Sequence, residues 1–286
     1  MDDVMIRFWQ ERDIPDLQKI FTVSFADPPE IAEAFHRIFL KAPETCTLAA
    51  VPEKERPEGR PVAAAYCIPG ATLHLPERRI ESVYLYAFGC LPEWRGRGIA
   101  KQVYTAVFEE SKRRAPVSCI IPATDGLLQA YNRTGFTFVP LGRIRTAEVS
   151  GAEARKAEAL TAERIPWQEY ARRREEWLRG CPHAEYPESH FRLMEAYGNI
   201  LLAMDGAVAA VIPLEDRCVV SELLCRGADP ARALAGIAGA CPAERYTVRT
   251  PVFFPGSGEI RPFAYYHGEA EYAGVTEDFW YPFGLE

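Results

Sequence analysis

The residues whose types and spacing could do chemistry lie at Arg95-Gly96-Arg97-Gly98-Ile99-Ala100. Two glycines spaced this way let the backbone pass close to a ligand and turn at once into a helix. The first N–H groups of that helix have no internal partner and stand at the positive end of its dipole. With Lys101 following, the turn is an anion site suited to a phosphate or pyrophosphate. Two other nucleotide signatures are excluded here. There is no Gly-x-x-x-x-Gly-Lys-Ser/Thr. Gly96-Arg97-Gly98 meets Lys101, not Gly or Ala, at the third position of a dinucleotide fingerprint.

The flanking elements must position this turn. Val83 to Phe88 is rich in strand formers, and Pro92 punctuates the run. After the turn, Ile99, Ala100, Val103, Tyr104, Val107 and Phe108 share one helical face, with Lys101, Gln102, Thr105, Glu109 and Glu110 opposite. Lys112-Arg113-Arg114 suit the C-terminal end of a helix, and Pro116 stops it. A second strand follows over Val117 to Ile121, then a helix from Asp125 ending at Gly135. The unit reads strand, glycine turn, helix, strand, helix, strand.

At this point the stretch resembles the GNAT superfamily of N-acetyltransferases. Their acetyl-CoA motif is Gln/Arg-x-x-Gly-x-Gly/Ala, which Arg95 to Ala100 matches at each fixed position. Their second hallmark, a tyrosine shortly before Gly-Phe, is here Tyr131-Asn132-Arg133-Thr134-Gly135-Phe136. Many members carry an Asn seven residues before the tyrosine; this chain has Thr124. The resemblance implies an α/β (α+β) GNAT fold, a central mixed, mostly antiparallel sheet flanked by helices. It implies acetyl-CoA (coenzyme A) as donor, a primary amine of a small molecule or peptide as acceptor, and direct attack on the thioester. Arg95, Gly96, Arg97, Gly98, Ile99, Ala100 and Lys101 would then hold the pyrophosphate, while Phe88, Gly89, Cys90 and Leu91 line the thioester arm on a strand that bulges near Gly89. A backbone N–H near Cys90 would stabilise the oxyanion. Tyr131 would contact the cofactor and act as the acid, since a thiol titrates near about 8.5 and a tyrosine near about 10. Glu81 on the central strand is the candidate base. Tyr84 and Tyr86 could instead hold a water, or the C-terminal Glu286 could serve. A non-catalytic CoA-binding regulatory or scaffold protein is the alternative.

Composition bounds the remainder. At 286 residues the chain is too long for one such unit. Its eight cysteines show no Cys-x-x-Cys spacing, so buried reduced thiols are expected and no zinc site or disulfide framework is readable. A net charge of −7 argues against nucleic acid and fits a cationic amine. No apolar run reaches membrane-spanning length. The expected setting is cytoplasmic, with a homo-oligomer left open.

Two domains are therefore expected, 1–150 binding acetyl-CoA and 151–286 a degenerate GNAT-like repeat. In the first, helices are expected over Ile14 to Phe25 (N-capped by Asp13) and Glu30 to Lys41; the resemblance implies that they wall the acceptor site, and His36 reads as structural. Pro52 to Pro61 is an exposed hairpin connection. Phe136 to Val139 and Ile144 to Val149 form a closing hairpin around Pro140-Leu141-Gly142. Ala152 to Leu160 is a helical connector. In the second, Pro166 to Gly180 is an amphipathic helix whose Arg172-Arg173-Arg174 form a solvated, salt-bridged face. The order helix, helix, hairpin, strand, helix, strand repeats that of the first half. After the strand ending at Cys225, however, only Arg226-Gly227-Ala228-Asp229 stands where the glycine turn would be. The layout is similar to two-domain relatives of the enhanced intracellular survival acetyltransferases. The aromatic stretch from Phe279 is expected to dock.

Overall fold

The computed structural model describes residues 4–40, 42, 45–52, 59–268 and 278–283. The expected connection at 52–61 falls largely outside them, as does Glu286. In the first half the elements are β1 (Val4–Phe8), α1 (Ile14–Phe25), α2 (Pro29–Phe39), β2 (Cys46–Pro52), β3 (Ala63–Pro69), β4 (Thr72–Leu75), β5 (Arg78–Ile80), β6 (Ser82–Cys90), α3 (Ile99–Lys112), β7 (Val117–Ile120), α4 (Asp125–Asn132) and β8 (Val139–Pro140). Then follow β9 (Arg143–Ser150), a single turn α5 (Gly151–Ala154), β10 (Glu163–Arg164), α6 (Trp167–Leu178), β11 (His183–Glu185), α7 (Glu188–Ala196), β12 (Ile200–Met204), β13 (Ala207–Pro213), β14 (Arg217–Cys225), α8 (Pro230–Ala240), β15 (Arg245–Pro251), β16 (Glu259–Pro262) and β17 (Tyr265–Gly268).

Two seven-stranded sheets result, ordered β1-β2-β3-β6-β7-β17-β8 and β10-β12-β13-β14-β15-β9-β16. Each is antiparallel except for one parallel pair, β6 with β7 and β14 with β15, joined through a crossover helix. That is the mixed, mostly antiparallel α/β architecture expected, twice over. The apolar face of α3 (Ile99, Val103, Val107, Phe108) packs on one side of the first sheet. Helix α8 does the same for the second. The other faces share one core, built from α1, α2, α6, α7 and the aromatic segment Phe279–Phe283. Trp280 and Phe279 are fully buried, so this segment is docked.

The expected hairpin at 136–149 does not form. β9 leaves the first unit and pairs with β15 and β16 in the second sheet. Its place beside β7 is taken by β17, from near the end of the chain. Pro140-Leu141-Gly142 is thus a crossing between sheets, not a turn. Leu141 donates its N–H to the Ala264 carbonyl. A Cβ on Gly142 would lie 2.0 Å from the Phe279 carbonyl oxygen, so only glycine lets the aromatic segment pass there.

Smaller corrections have local causes. Asp13 holds the N-cap position of α1 as expected, but its side chain makes no capping bond; it is buried and paired with Arg7 at 2.6 Å. The connector at 152–160 is helical only over its first residues. Arg172 and Arg173 form the expected exposed pairs with Glu169 and Glu176. Arg174 instead points inward, fully buried, onto Glu222 at 2.9 Å. Glu222 also accepts from Tyr170 and from the Trp280 indole, so the buried carboxylate charge is paired and both of its oxygens are hydrogen-bonded. His36 is structural as expected. Its ring bridges the Ala32 carbonyl and the Tyr66 hydroxyl, and burial lowers its pKa to about 4.

Candidate active site

The site begins where β6 and β7 part. Their pairing runs from Ser82/Val117 to Tyr84/Cys119 and stops, although β6 continues to Cys90. The register of β6 against β3 slips between Ala64 and Tyr66, so Ala87 and Phe88 together oppose Ala65. This is a β-bulge, and Ala87 carries its strain at φ +53°. The bulge is therefore two residues before Gly89. Gly89 has another purpose: a Cβ there would lie 2.8 Å from Ile20 Cγ2 and Ser24 Oγ, so its bare backbone admits α1.

Beyond β6, a 3-10 turn at Pro92–Trp94 leads into the glycine turn. Gly96 and Gly98 take φ +76° and +78°, in the left-handed region. A Cβ on either would meet nothing within 4 Å, so conformation and not crowding requires glycine. The first helical bond of α3 runs from Gln102 N–H to the Gly98 carbonyl. The N–H groups of Ile99, Ala100 and Lys101 lie ahead of it at the dipole's positive end. Arg95 is spent on the Cys90 carbonyl and Arg97 on the Glu93 carbonyl, so both guanidinium groups brace the loop. Thr124, where the family pattern has Asn, is the N-cap of α4 and accepts from Leu127 N–H at 3.2 Å. The cap sets the helix that carries Tyr131 inward.

A cavity of about 520 Å³ fills the opening between β6 and β7. Phe88, Tyr104 and Tyr131 line it and pack ring against ring, at 4.6 Å for Phe88–Tyr104 and 5.1 Å for Tyr104–Tyr131. Burial raises the Tyr131 pKa well above the ordinary tyrosine value, with Tyr104 adding to it, so the phenol keeps its proton. Among the described residues its hydroxyl has no hydrogen-bond partner. Asp27 lines the same cavity, just past the left-handed Ala26 (φ +58°) that ends α1. Burial raises its carboxyl pKa. Tyr86 and Tyr197 sit beside it, both kept protonated chiefly by burial, the latter pushed up to about 12. The second half completes the wall with Arg249, Arg261 and Phe263.

Three site expectations change. Glu81 is exposed at the start of β6, accepts from the Thr72 hydroxyl, and lines a separate groove. Six steps along the strand, about 20 Å, separate it from the bulge. The Cys90 N–H is already given to Ser24 Oγ at 3.2 Å, so it is not a free oxyanion donor. Of Phe88, Gly89, Cys90 and Leu91, only Phe88 lines the cavity; Leu91 is buried with its N–H on the Val62 carbonyl. Asp27 was missed because its neighbours come from β6 and α7. The only local signal is an acid set between a helix end and Pro28-Pro29.

Residues 11–136 match the model of the Acetyltransferase (GNAT) family. The fold is similar to a GCN5-related N-acetyltransferase from Kribbella flavida, at 18% identity over 92% of this chain and 71% of that one, TM-score 0.63. It is similar to Eis1 from Mycobacterium abscessus, at 14% identity over 92% and 73%, TM-score 0.59. It is also similar to a tandem GNAT protein of the clavulanic acid biosynthesis pathway, at 11% identity over 92% and 98%, TM-score 0.55. At these identities the likeness is one of fold. No curated protein matches the sequence. A strand pair opened by a bulge, a glycine turn with unspent N–H groups and a protonated tyrosine in the opening all fall within or beside residues 11–136, the span that matches the model of the GNAT family of acetyltransferases.

Proposed function

We propose that this chain moves an acetyl group from acetyl-CoA to a primary amine of a small molecule or peptide by direct attack on the thioester. The observation that carries the reading is that Tyr131 and Asp27 line one cavity in the β6/β7 opening. Acetyl-CoA supplies the activated acyl group and a thiolate leaving group. The turn from Arg95 to Lys101 fits its pyrophosphate, because three N–H groups there await an anion. Tyr131 holds a proton for the departing sulfur. Asp27 attracts an ammonium group and, with Tyr86 and Tyr197, is placed to receive a proton as the amine is freed. Arg249 and Arg261 suit an anionic group elsewhere on the acceptor.

Cofactor binding belongs to the first half, 1–150, in this reading, and 151–286 is a degenerate repeat. Where the repeat would hold an anion, the Asp229 carboxylate caps α8 and accepts from Ala231 N–H at 2.8 Å. A phosphate there would face a like charge. No helix among the described residues is long and apolar enough to cross a membrane. The free cysteines suit a cytoplasmic setting.

The test is acetyl-CoA consumption with thiol release across polyamines, aminoglycosides, amino acids and N-terminal peptides. Tyr131→Phe is expected to lower kcat by about 10²–10⁴-fold while CoA binding is kept. CoA binding without turnover on any acceptor would overturn the reading.

A further inference from the structure

A groove of about 1090 Å³, which shares no lining residue with the cavity at the β6/β7 opening, is lined by His74, Glu175, His183 and Glu185. β4 and β11 pair antiparallel, with His74 directly opposite His183. Their rings stack at 4.7 Å and 23°. Glu175 reaches the same point from the C-terminal half of α6. The nitrogen and oxygen donors of His74, Glu175 and His183 all lie within 4.8 Å of one another. We propose that these three side chains bind a divalent transition cation of the zinc class, with water in the fourth position.

Three features favour a cation over a simple hydrogen-bonded cluster. First, His183 Nδ1 lies 2.8 Å from the Cys181 carbonyl, to which it donates. With Nδ1 so engaged, Nε2 faces Glu175 Oε2 at 2.8 Å. A proton holds only that one pair, whereas a cation gathers it together with the donor of His74, which converges on the same point. A backbone carbonyl on the far nitrogen is also the arrangement that orients metal-bound imidazoles. Second, Glu175 is pre-aimed. Its other oxygen takes Arg174 at 2.8 Å, and Arg174 is locked in turn by Glu222. Third, the donor set of two imidazoles and one carboxylate with an open position suits zinc. Zinc bonds of about 2.0–2.1 Å place tetrahedral ligands about 3.4 Å apart, so closure needs roughly an ångström of side-chain swing. His74 is the arm to make it, since its ring nitrogen is bonded to the half-buried Glu185, and not to the backbone as in His183.

The site would clasp the two halves. β4 belongs to the first, while β11 and α6 belong to the second. β11 also holds the aromatic segment through Ala184 N–H to the Trp280 carbonyl and Trp280 N–H to the Pro182 carbonyl.

The test uses the full, untagged chain stripped with chelator, titrated with Zn2+ by calorimetry and with Co2+ by visible absorption. One equivalent should bind, Co2+ should develop the intense visible bands of a tetrahedral site, and Tm should rise by a few degrees in excess Zn2+. His74→Gln and His183→Gln should each weaken binding about a hundredfold and abolish the Tm response. Should His183→Gln fail to fold, His74→Gln and Glu175→Gln carry the test, with unchanged CoA binding as evidence of folding. A wild-type chain whose Tm ignores Zn2+ and whose Co2+ spectrum is that of the free ion would overturn the proposal. So would equal Zn2+ affinity in the folded variants.

Discussion

Tyr131 and Asp27 are both acids raised above their usual range, and burial is the first cause of each shift. For Tyr131 the consequence is a proton retained at neutral pH. For Asp27 the sign runs against stability. A folded carboxyl with a raised pKa binds its proton more tightly than the unfolded one, so it favours the fold below the unfolded value near about 3.9 and that contribution is lost as pH rises through the folded value. Asp27→Asn should therefore leave the protein at least as stable at pH 7. It should lower kcat/KM for the acceptor by about 10²-fold and remove an acid limb lying above the ordinary carboxylate range. A pH–rate profile of both proteins checks this; an unaltered limb in the variant would take Asp27 out of the proton path. Tyr131 was legible because a Gly-Phe pair follows it at a known spacing. Asp27 was not, because what singles it out is the company of Tyr86 and Tyr197, 59 and 170 positions away in the chain.

At the level of elements, helices α1, α2, α3, α6 and α8 were readable from apolar spacing and capping, and β6 with its glycine turn from composition. What failed was reading a glycine's purpose. Gly89 looked like the bulge, since glycine weakens a strand; the strain sits instead on Ala87, and Gly89 is bare because α1 crosses over it. Gly89→Ala should press on Ile20 and Ser24 and destabilise by about 1–3 kcal/mol, read as a lower urea midpoint at unchanged m-value. A neutral result would mean that α1 can back away from β6. Short strands such as β11 and β16 left no signal, because three or four residues cannot display a period. The proposed cation site was hidden for a related reason. His74 and His183 become neighbours only through β4/β11 pairing, so no local ligand spacing exists.

On the scale of the whole molecule, strand runs can be read but their partners cannot. Arg143–Ser150 looks like the end of the first unit because it follows it directly. Its registry is nevertheless with Arg245–Pro251, and Tyr265–Gly268 fills the gap beside β7. Each sheet thus contains an interior strand from the other half's stretch of chain, and the two share a core. Cutting after residue 150 should leave two fragments that do not fold alone. Expressed separately they should be insoluble or lack a cooperative melt, and co-expressed they should recover one. A cooperative transition in the isolated fragment 1–150 would show that β17 is dispensable to the first sheet.

The exchange also bears on how the chain is made. Residues leave a ribosome in order, at about 5–20 per second, so β7 emerges about 7–30 s before the strand that covers its edge. Through that interval Val117-Ser118-Cys119-Ile120 presents bare backbone groups on a run fully buried in the finished protein. The nascent chain therefore has a window of vulnerability to edge-to-edge association, and folding chaperones acting during synthesis would find their target there.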